Sequence, residues 1–599
     1  MPFGAQLLDD GAVRFRLWAP AAQRVEVTFE DKKVPLSPCG GGWFETISDE
    51  AHSGTQYFFR INGGQQVPDP ASRFQPRDVH APSEVIDSGS FEWHDENWRG
   101  RPWEEAVIYE LHVGTFTEAG TFSGVQERLD YFADLGITAI ELMPVADFPG
   151  KRNWGYDGVL PFAPDSSYGR PEDLKSLVQS AHDRGIMVLL DVVYNHFGPE
   201  GNYLRAYAPQ FFTGRHHTPW GEAINFDGQE SRAVRDFFIH NALYWLTEYH
   251  FDGLRFDAVH AIVDDSTPDF LTELAQTVRS SIEPDRHVHL ILENDNNQSR
   301  YLQRTAHCQP RTYTAQWNDD IHHVLHVLMT GEIDGYYADY SGRPIQQLAR
   351  CLTEGFSYQG ERSQYRNGEV RGEPSSELPP TAFVSFLQNH DQIGNRAFGE
   401  RISKLAGPRA VRAAVAILLL APCPPLLFMG EEFGAETPFL FFCDFEKELA
   451  RLVTEGRRNE FARFARFNDP AARERIPDPS SIKTFETSRL DWNEISHADH
   501  QAWFRFYRDL LKIRCRHIVP RLSSSCSTKV EAHTGASLHL SWQFSDKSKL
   551  TLIANLQPEP APEVTLPDLP ILYATEGIDQ DILKKGILPA WSVVWFLES

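Results

Sequence analysis

The chain contains little cysteine for its length. Seven of its 599 residues are cysteine, and no two of them are spaced as a CxxC pair. This pattern excludes a cysteine-held structural zinc site and predicts a reduced protein of the cytoplasm. The seven positions are Cys39, Cys308, Cys351, Cys423, Cys443, Cys515 and Cys526.

Long hydrophobic runs are also missing, and residues 1–10 do not have the pattern that is typical of a secretion signal. The first ten residues have neither a basic region nor an apolar one, so no secretory signal peptide is expected. The most apolar stretch, 413–429, is interrupted by Pro422, Pro424 and Pro425. Because proline ends helices, this stretch predicts a buried helix followed by a strand and argues against a membrane span.

Positive charge is scarce relative to negative charge. The 57 lysines and arginines stand against 83 acidic residues, which gives a net charge of −26. Such a surface repels polyanions, which argues against nucleic acid and acidic membranes as partners. Aromatic residues, in contrast, make up 12% of the chain. That content suits stacking on sugar rings as well as large cores.

The periodicity of apolar residues divides the chain into three segments. Residues 1–97 contain short alternating strands separated by Gly, Pro and Asp, which predict an N-terminal β-sandwich. In residues 98–520, strand-like runs alternate with helical ones, as in βα units. Alternation typical of strands returns in 521–599. The predicted fold is therefore α/β, a (β/α)8 TIM barrel with an N-terminal β-sandwich and a C-terminal β domain.

Eight barrel strands are predicted from short apolar runs. They are placed at 107–112, 137–142, 186–191, a run ending at Asp257, a run ending at Glu293, 311–313, a run ending at Gln388, and 426–429. Helices are predicted at 124–135, 171–184, 232–249 and 499–514. In such a barrel the carboxyl ends of all strands open onto one face, so acids far apart in sequence become neighbours there.

Asp257, Glu293 and Asp391 each follow one of these strands. Two close carboxyls, one ionised and one protonated, are what cleavage of a glycosidic bond requires. Asp257 suits the nucleophile because Arg255, two residues earlier on the same strand, projects to the same face and keeps it ionised. Glu293 closes an apolar run, where desolvation raises a carboxyl pKa as a general acid needs. Taken singly, such acids more often cap the following helix.

Four segments together resemble the signature regions of the α-amylase family. They are Asp191 to His196, Gly253 to Asp257, Leu292 to Asp295, and Gln388 to Asp391. The resemblance implies a retaining α-glucan mechanism with Asp257 as nucleophile, Glu293 as general acid/base and Asp391 as stabiliser of the transition state. Among the other residues, it implies sugar contacts by Arg255, His196 and His390, and stacking by Tyr156. The front module is similar to the carbohydrate-binding sandwich of branching and debranching relatives.

Further segments resemble the members of this family that act on maltooligosyltrehalose. They include Tyr109 to Phe116, Asn195 to Tyr203, and Trp317 to His323. The resemblance implies hydrolysis of the α-1,4 bond next to a terminal trehalose unit, with maltooligosyltrehalose and α-glucan as substrates and a maltooligosyltrehalose synthase as functional partner. Neither a metal nor another cofactor is expected. Candidates for reading the trehalose unit are His260, Asn318, Asp319, Asp320 and His322, and candidates for stacking on glucose rings are Trp154 and Trp220.

Two alternatives stay open at this point. A glycogen branching or debranching enzyme would share the mechanism, although Glu293 is followed by Asn294-Asp295-Asn296 where branching enzymes typically carry Glu-Ser-Thr. A catalytically silent glucan-binding protein would share the fold. Silent relatives usually lose one of the acids, and all three are present here.

Overall fold

The computed structural model describes residues 2–522, 529–534, 537–562, 564–578 and 586–598. Three larger sheets follow one another along the chain, and they lie within 4–84, 108–428 and 529–598. The central one is a closed barrel of eight strands. The predicted fold class is thereby confirmed, and the expected boundaries at 97 and 520 fall between these sheets.

The N-terminal sheet folds over on itself as a sandwich. Its fourth strand pairs through its first half with the third strand and through its second half with the fifth. Phe15 on one side consequently packs on Phe29 and Tyr57 of the other, with ring centroids 6.0 and 4.9 Å apart. The strands are β1 (Gly4–Leu7), β2 (Val13–Trp18), β3 (Val25–Phe29), β4 (Lys32–Gly40), β5 (Trp43–Ser48), β6 (Gln56–Ile61), β7 (Gln66–Val67) and β8 (Ser83–Glu84).

The barrel consists of eight parallel strands whose residues are buried along their whole length, as expected for a sheet covered on both faces. The strands are β9 (Ile108–Leu111), β10 (Ala139–Leu142), β13 (Met187–Val192), β16 (Gly253–Phe256), β17 (His289–Leu292), β18 (Ala315–Trp317), β21 (Phe383–Phe386) and β22 (Pro425–Phe428). Three hairpins rise from the loops, namely β11 (Ala146–Asp147) with β12 (Leu160–Pro164), β14 (Phe212–Thr218) with β15 (Gly221–Ile224), and β19 (Glu361–Arg362) with β20 (Val370–Arg371).

The helices surround the barrel and extend beyond it. The helix predicted over 124–135 is divided into two, whereas the other three predicted helices lie within about two residues of their expected bounds. In chain order the helices are α1 (Val113–Phe116), α2 (Phe122–Gln126), α3 (Leu129–Leu135), α4 (Pro171–His182), α5 (Ser231–Glu248), α6 (Phe270–Ser281), α7 (Asp319–Thr330), α8 (Pro344–Glu354), α9 (His390–Gly394), α10 (Ile402–Leu405), α11 (Pro408–Leu420), α12 (Lys447–Glu460), α13 (Pro470–Glu474), α14 (Ile482–Thr487), α15 (Ala498–Ile513) and α16 (Val519–Leu522).

The sixth barrel strand lies later in the chain than predicted. The expected segment 311–313 precedes the strand, which is Ala315–Trp317. Tyr313 packs outside the barrel, where its hydroxyl donates to the carbonyl of Leu271 at 2.9 Å. The strand itself has only three residues, so the sequence offers almost no alternation by which to find it.

The C-terminal sheet docks on the outside of the barrel. Trp595 donates its indole N–H to the carbonyl of Ala416 in α11 at 3.1 Å, and Trp542 donates to Leu352 in α8 at 3.4 Å. The strands are β23 (Lys529–Thr534), β24 (Leu538–Gln543), β25 (Lys549–Asn555), β26 (Ile571–Ala574) and β27 (Ser592–Glu598), and they pair in the order β23-β24-β25-β27-β26.

The cysteines differ in state. Cys308 is disulfide-bonded, so the expectation of a fully reduced chain is wrong at this position, and Cys526 lies outside the described residues. Five others are free thiols, namely Cys39, Cys351, Cys423, Cys443 and Cys515. Among the helices of the described ranges, none is long and apolar enough to cross a membrane.

Candidate active site

Asp257 follows β16 at the carboxyl-terminal face of the barrel and is held ionised by its neighbours. Nη1 of Arg255 lies 2.9 Å from Oδ1 of Asp257, and the side-chain amide of Asn195 donates to Oδ2 at 2.8 Å. Burial works to raise the pKa of Asp257, but Arg255, the nearby His196 and these hydrogen bonds outweigh it and place the pKa below its usual value. The carboxylate is thus ready as an anion.

Glu293 follows β17, the neighbouring strand, and has the opposite electrostatic character. Burial raises the pKa of Glu293 well above its usual range, and the charges of Asp257 and Asp391 add to this effect against the opposing Arg255. Nη2 of Arg255 lies 2.9 Å from Oε2 of Glu293. One guanidinium therefore bridges both carboxyls, and the pair divides into an ionised and a protonated group, as acid/base chemistry at neutral pH requires.

Asp391 completes the group from the first turn of α9. The side chain of Asn389 caps this helix by accepting from the backbone N–H groups of Asp391 and Gln392. The carboxylate of Asp391 is 38% exposed and faces the cavity. Nε2 of His390 lies 3.6 Å from Oδ1 of Asp391, so this histidine stands beside the third acid.

Aromatic and imidazole rings surround the carboxyls. Tyr156 stacks on His390 with ring centroids 5.1 Å apart and donates its hydroxyl to Oδ2 of Asp191 at 2.7 Å. His196 stacks on Trp220 at 4.5 Å with nearly parallel planes. Trp220 is 50% exposed at the tip of the β14–β15 hairpin, which leaves part of its ring accessible to a sugar.

A cavity of about 290 Å³ opens beside Glu293 and Asp391. Its far wall comes from α7, from the segment after it and from the β19–β20 hairpin. The lining is polar and aromatic, a composition that suits a sugar with many hydroxyl groups. The side chains that line it include His260, Asp295, Asp319, His323, Tyr336, Tyr365, Arg366 and Arg371.

Comparison with known proteins places the chain in a family. The family model described as alpha amylase, catalytic domain, matches residues 90–241, that of carbohydrate-binding module 48 (isoamylase N-terminal domain) matches residues 2–74, and that of a domain of unknown function matches residues 526–595. The malto-oligosyltrehalose trehalohydrolase of Deinococcus radiodurans is 43% identical over 513 residues, which are 85% of this chain and 82% of that protein. The chain belongs to the malto-oligosyltrehalose trehalohydrolase family.

Other comparisons agree with membership in the trehalohydrolase family. The trehalohydrolase of Saccharolobus solfataricus is 41% identical over 89% of this chain and 90% of that protein. A crystal structure described as a putative alpha amylase from Salmonella typhimurium superposes with a TM-score of 0.93 at 45% identity and covers 100% of this chain and 99% of that one. A branching enzyme of Pseudoalteromonas atlantica is 31% identical over only 43% of this chain. The branching alternative is therefore less well supported than the trehalohydrolase reading.

The structure separates the trehalose-reading candidates into two groups. His260 and Asp319 line the cavity, and burial raises the pKa of Asp319 to about 7. Asn318, Asp320 and His322 are not among the residues that line the cavity, and each is buried and hydrogen-bonded within the protein. The amide of Asn318 donates to the carbonyl of Gly355, and burial lowers the pKa of His322 to about 3, which leaves its ring neutral.

Trp154 also departs from its expected place. The ring is 4% exposed, and its indole N–H donates to the carbonyl of Leu440 at 2.9 Å. It meets His390 edge to face at 5.5 Å, so it supports this histidine from within the protein and offers no face to a sugar. From the motif Asn153-Trp154-Gly155-Tyr156 alone, one cannot tell that the Trp154 ring is buried and that the Tyr156 ring is the one beside the carboxyls.

Several cavity residues were absent from the sequence-based set. Asp295 accepts from both Arg366 and Arg371, which come from the β19–β20 hairpin. Burial tends to raise the pKa of Asp295, but these two arginines lower it below its usual value. Tyr336 and Tyr365 meet edge to face at 6.1 Å above the same cavity. Only Asp295 had a usable signal, because it stands two residues after Glu293 in the third signature segment.

Proposed function

We propose that this protein hydrolyses the α-1,4-glucosidic bond next to the terminal trehalose of maltooligosyltrehalose and releases trehalose. The observation that carries the proposal is the division of Asp257 and Glu293 into an anion and an acid around the single guanidinium of Arg255. Family membership supports the substrate, since relatives that are 41–43% identical over 85–89% of this chain are named malto-oligosyltrehalose trehalohydrolases.

In the proposed mechanism, the carboxylate of Asp257 attacks the anomeric carbon of the glucan. Glu293 gives its proton to the glycosidic oxygen, so trehalose leaves as a neutral alcohol. Glu293, now ionised, then removes a proton from water, which attacks the glycosyl-enzyme bond and restores Asp257. Asp391 and His390 would hold ring hydroxyls and favour the positively charged transition state.

The cavity beside Glu293 would hold the leaving trehalose. A 1,1-linked disaccharide is bent and has no reducing end, so a site that hydrogen-bonds both rings would reject a linear maltosyl unit. Asp295, Asp319 and Arg371 offer acceptors and donors for this purpose, and Tyr336 offers a ring face. If a sugar of the wrong shape entered, these donors and acceptors would stay buried without partners. The free energy of leaving them unpaired is what would disfavour that sugar.

Product analysis on two substrates tests the proposal. The purified protein is incubated with maltopentaosyl trehalose and, separately, with maltohexaose. Trehalose from the first and little hydrolysis of the second are the expected results. Equal rates of internal cleavage on both would contradict the assignment, and transfer of glucan segments to new branch points would favour the branching alternative.

The substrate implies a partner reaction. Maltooligosyltrehalose carries a 1,1-bond at the end of an α-1,4 chain, so an enzyme that isomerises the reducing-end bond of a maltooligosaccharide must supply it. We propose a functional pairing with such a maltooligosyltrehalose synthase in the same compartment. The cytoplasmic location inferred from composition stays a prediction.

A further inference from the structure

Glu110 lies in β9, on the far side of the barrel from the catalytic pair, and holds His390 at two points. Its Oε2 accepts from the backbone N–H of His390 at 3.1 Å, and its Oε1 forms an ion pair with Nδ1 of the imidazole. The two side chains are 1% and 2% exposed. One buried carboxylate thus fixes both the backbone and the ring of the residue that precedes Asp391.

We propose that Glu110 is a positioning residue that keeps His390 doubly protonated and directs its Nε2–H into the catalytic cleft. This inference rests on the proposed function, in which His390 contacts the sugar bound at Asp257. Because Nδ1 is taken by Glu110, Nε2 is the ring nitrogen left for another partner, and it lies 3.6 Å from Oδ1 of Asp391, whose carboxylate lines the cavity. An imidazolium there donates a charge-assisted hydrogen bond to a sugar hydroxyl, which neutral imidazole does less well.

The charged groups around the His390 ring favour its doubly protonated state. Burial alone would lower the pKa of His390, but the Glu110 carboxylate, followed by Asp391, raises it to about 9 against the repulsion of Arg255. Glu141 from β10 and His112 after β9 also interact electrostatically with the ring, and Tyr156 stacks upon it. Burial lowers the pKa of His112 to about 4, so that ring stays neutral.

Glu141 is a second buried carboxyl beside Glu110. The two glutamates are register partners on adjacent parallel strands, and each is 1% exposed. Burial, together with the charges of Glu110 and Asp191, raises the pKa of Glu141 well above its usual range. Within the part of the chain that the structure describes, Oε2 of Glu141 has no hydrogen-bond partner. Glu141 is therefore neutral, and the carboxyl that pairs with the His390 ring is that of Glu110.

Packing removes other positions for the imidazole. Tyr156 stacks on one face of His390 with an angle of 23° between the planes, and Trp154 meets it edge to face. The ring therefore cannot rotate to find a new partner when Glu110 loses its charge. Loss of the carboxylate should change the protonation of His390 more than its place.

The test compares Glu110→Gln with Glu141→Gln, an isosteric change at the matched buried position of the next strand. The protonation of His390 is followed by NMR of protein labelled at histidine Cε1, with the signal assigned by its loss in His390→Gln. In Glu110→Gln, we expect the pH midpoint of the His390 titration to fall by about two pH units, toward the ordinary histidine value of about 6.5. In Glu141→Gln, this midpoint should stay above pH 7.

Trehalose release provides the second readout. Glu110→Gln should lower kcat about 10- to 100-fold, the range for losing a hydrogen bond to a charged group, with a much smaller rise in KM. The loss should disappear in the His390→Gln background, since Glu110 would then have nothing to position. Glu110→Asp should recover part of the rate.

An unchanged His390 midpoint in Glu110→Gln, or equal losses of rate in the two glutamine variants, would overturn the proposal. If Glu110→Gln does not fold, the wild-type titration decides, because a midpoint at or below the ordinary value of about 6.5 is incompatible with a stabilised imidazolium. Failure of the wild-type protein to release trehalose would instead count against the proposed function, while the titration would still report on Glu110.

Discussion

Arg255 donates from Nη1 to Oδ1 of Asp257 at 2.9 Å. The arginine is fully buried and lies on β16, two residues before the acid, so the spacing of a single strand places both groups on one face. The same guanidinium sits 4.2 Å above the ring of Trp317, which fixes its plane from the barrel interior. Ionisation of the proposed nucleophile is thus encoded by local sequence and maintained by barrel packing.

Removal of either member of the acid pair should abolish turnover without unfolding the protein. Asp257→Asn and Glu293→Gln each keep the shape of the side chain but remove the nucleophilic charge or the transferable proton. Trehalose release should fall by about 10³-fold or more, roughly 4 kcal/mol of transition-state stabilisation. Asp265→Asn, at an exposed acid of the loop after Asp257, serves as the matched control. A catalytic variant with more than a tenth of wild-type activity would refute the assignment.

The pH profile of kcat/KM should be bell-shaped, with its acidic limb set by Asp257 and its alkaline limb set by Glu293. Asp257 must be ionised, and its pKa is lowered, so the acidic limb should lie below the ordinary range for aspartate. Glu293 must be protonated, and its pKa is raised, so activity should be lost only as pH rises well beyond the ordinary range for glutamate. The charge of Asp319 contributes to that rise. Asp319→Asn should therefore move the alkaline limb to lower pH, whereas an unmoved limb would show that this charge does not act on Glu293.

Adjacent residues Asp319 and Asp320 should respond differently to the same substitution. Asp319 lines the cavity, while Asp320 is fully buried and accepts from Arg371, Tyr340 and the backbone of Ser357. Asp320→Asn leaves the buried Arg371 with a weaker partner. The free energy of unfolding, measured by thermal denaturation, should therefore fall by about 3–5 kcal/mol. Asp319→Asn should unfold nearly as the wild type does and should lower kcat/KM more for maltooligosyltrehalose than for maltooligosaccharide. Equal thermal shifts in the two variants would contradict this division.

The contrast between these two aspartates also indicates what sequence can reveal. Acids at strand ends, such as Asp257 and Glu293, were predictable because a parallel barrel gathers strand ends at one face. Residues at the start of a helix point in different directions although they are neighbours in the chain, so no pattern separates Asp319 from Asp320. The functional direction of such a side chain depends on what packs around it.

Long-range contributions to the site were not predictable for a similar reason. Arg366 and Arg371 reach Asp295 from a hairpin more than 70 residues later in the chain, and nothing in their local sequence marks them. Glu110 is 280 residues from its partner His390. The hairpin's packing beside the cavity brings the arginines to Asp295, and closure of the barrel brings Glu110 to His390.

Gly394 is expected to control the position of α9, which carries Asp391. A Cβ atom at Gly394 would lie 2.0 Å from the ring of Trp154, which is itself packed against Phe439. Gly394→Ala must therefore displace the helix or the ring, at a cost of about 1–3 kcal/mol as for other overpacked cores. We expect kcat to fall together with thermal stability. Gly456→Ala is the matched control, because this glycine lies in α12 with open space around the added Cβ atom. It should leave kcat unchanged. If Gly394→Ala turned over at the same rate as this control, α9 would be shown to accommodate the methyl group.

A buried histidine at the opposite end of the barrel should make stability dependent on alkaline pH. His182 lies between Asp95 and Asp252, at 2.8 and 3.0 Å, and stacks on Trp98. Burial would lower the pKa of His182, but Asp252 and Asp95 together raise it to about 9. Because the folded pKa exceeds the unfolded value of about 6.5, the stabilisation is fully present below that value and is lost as pH rises through about 9.

The variant His182→Gln should consequently unfold at a lower temperature than the wild type at pH near 6, and the gap should narrow as the pH approaches about 10. Thermal unfolding of both proteins across this range measures the effect. His307→Gln, at an exposed histidine, should follow the wild-type curve throughout. A gap between wild type and His182→Gln that stays constant from acidic to alkaline pH would mean that packing against Trp98, and not the charge of the imidazolium, is what His182 contributes.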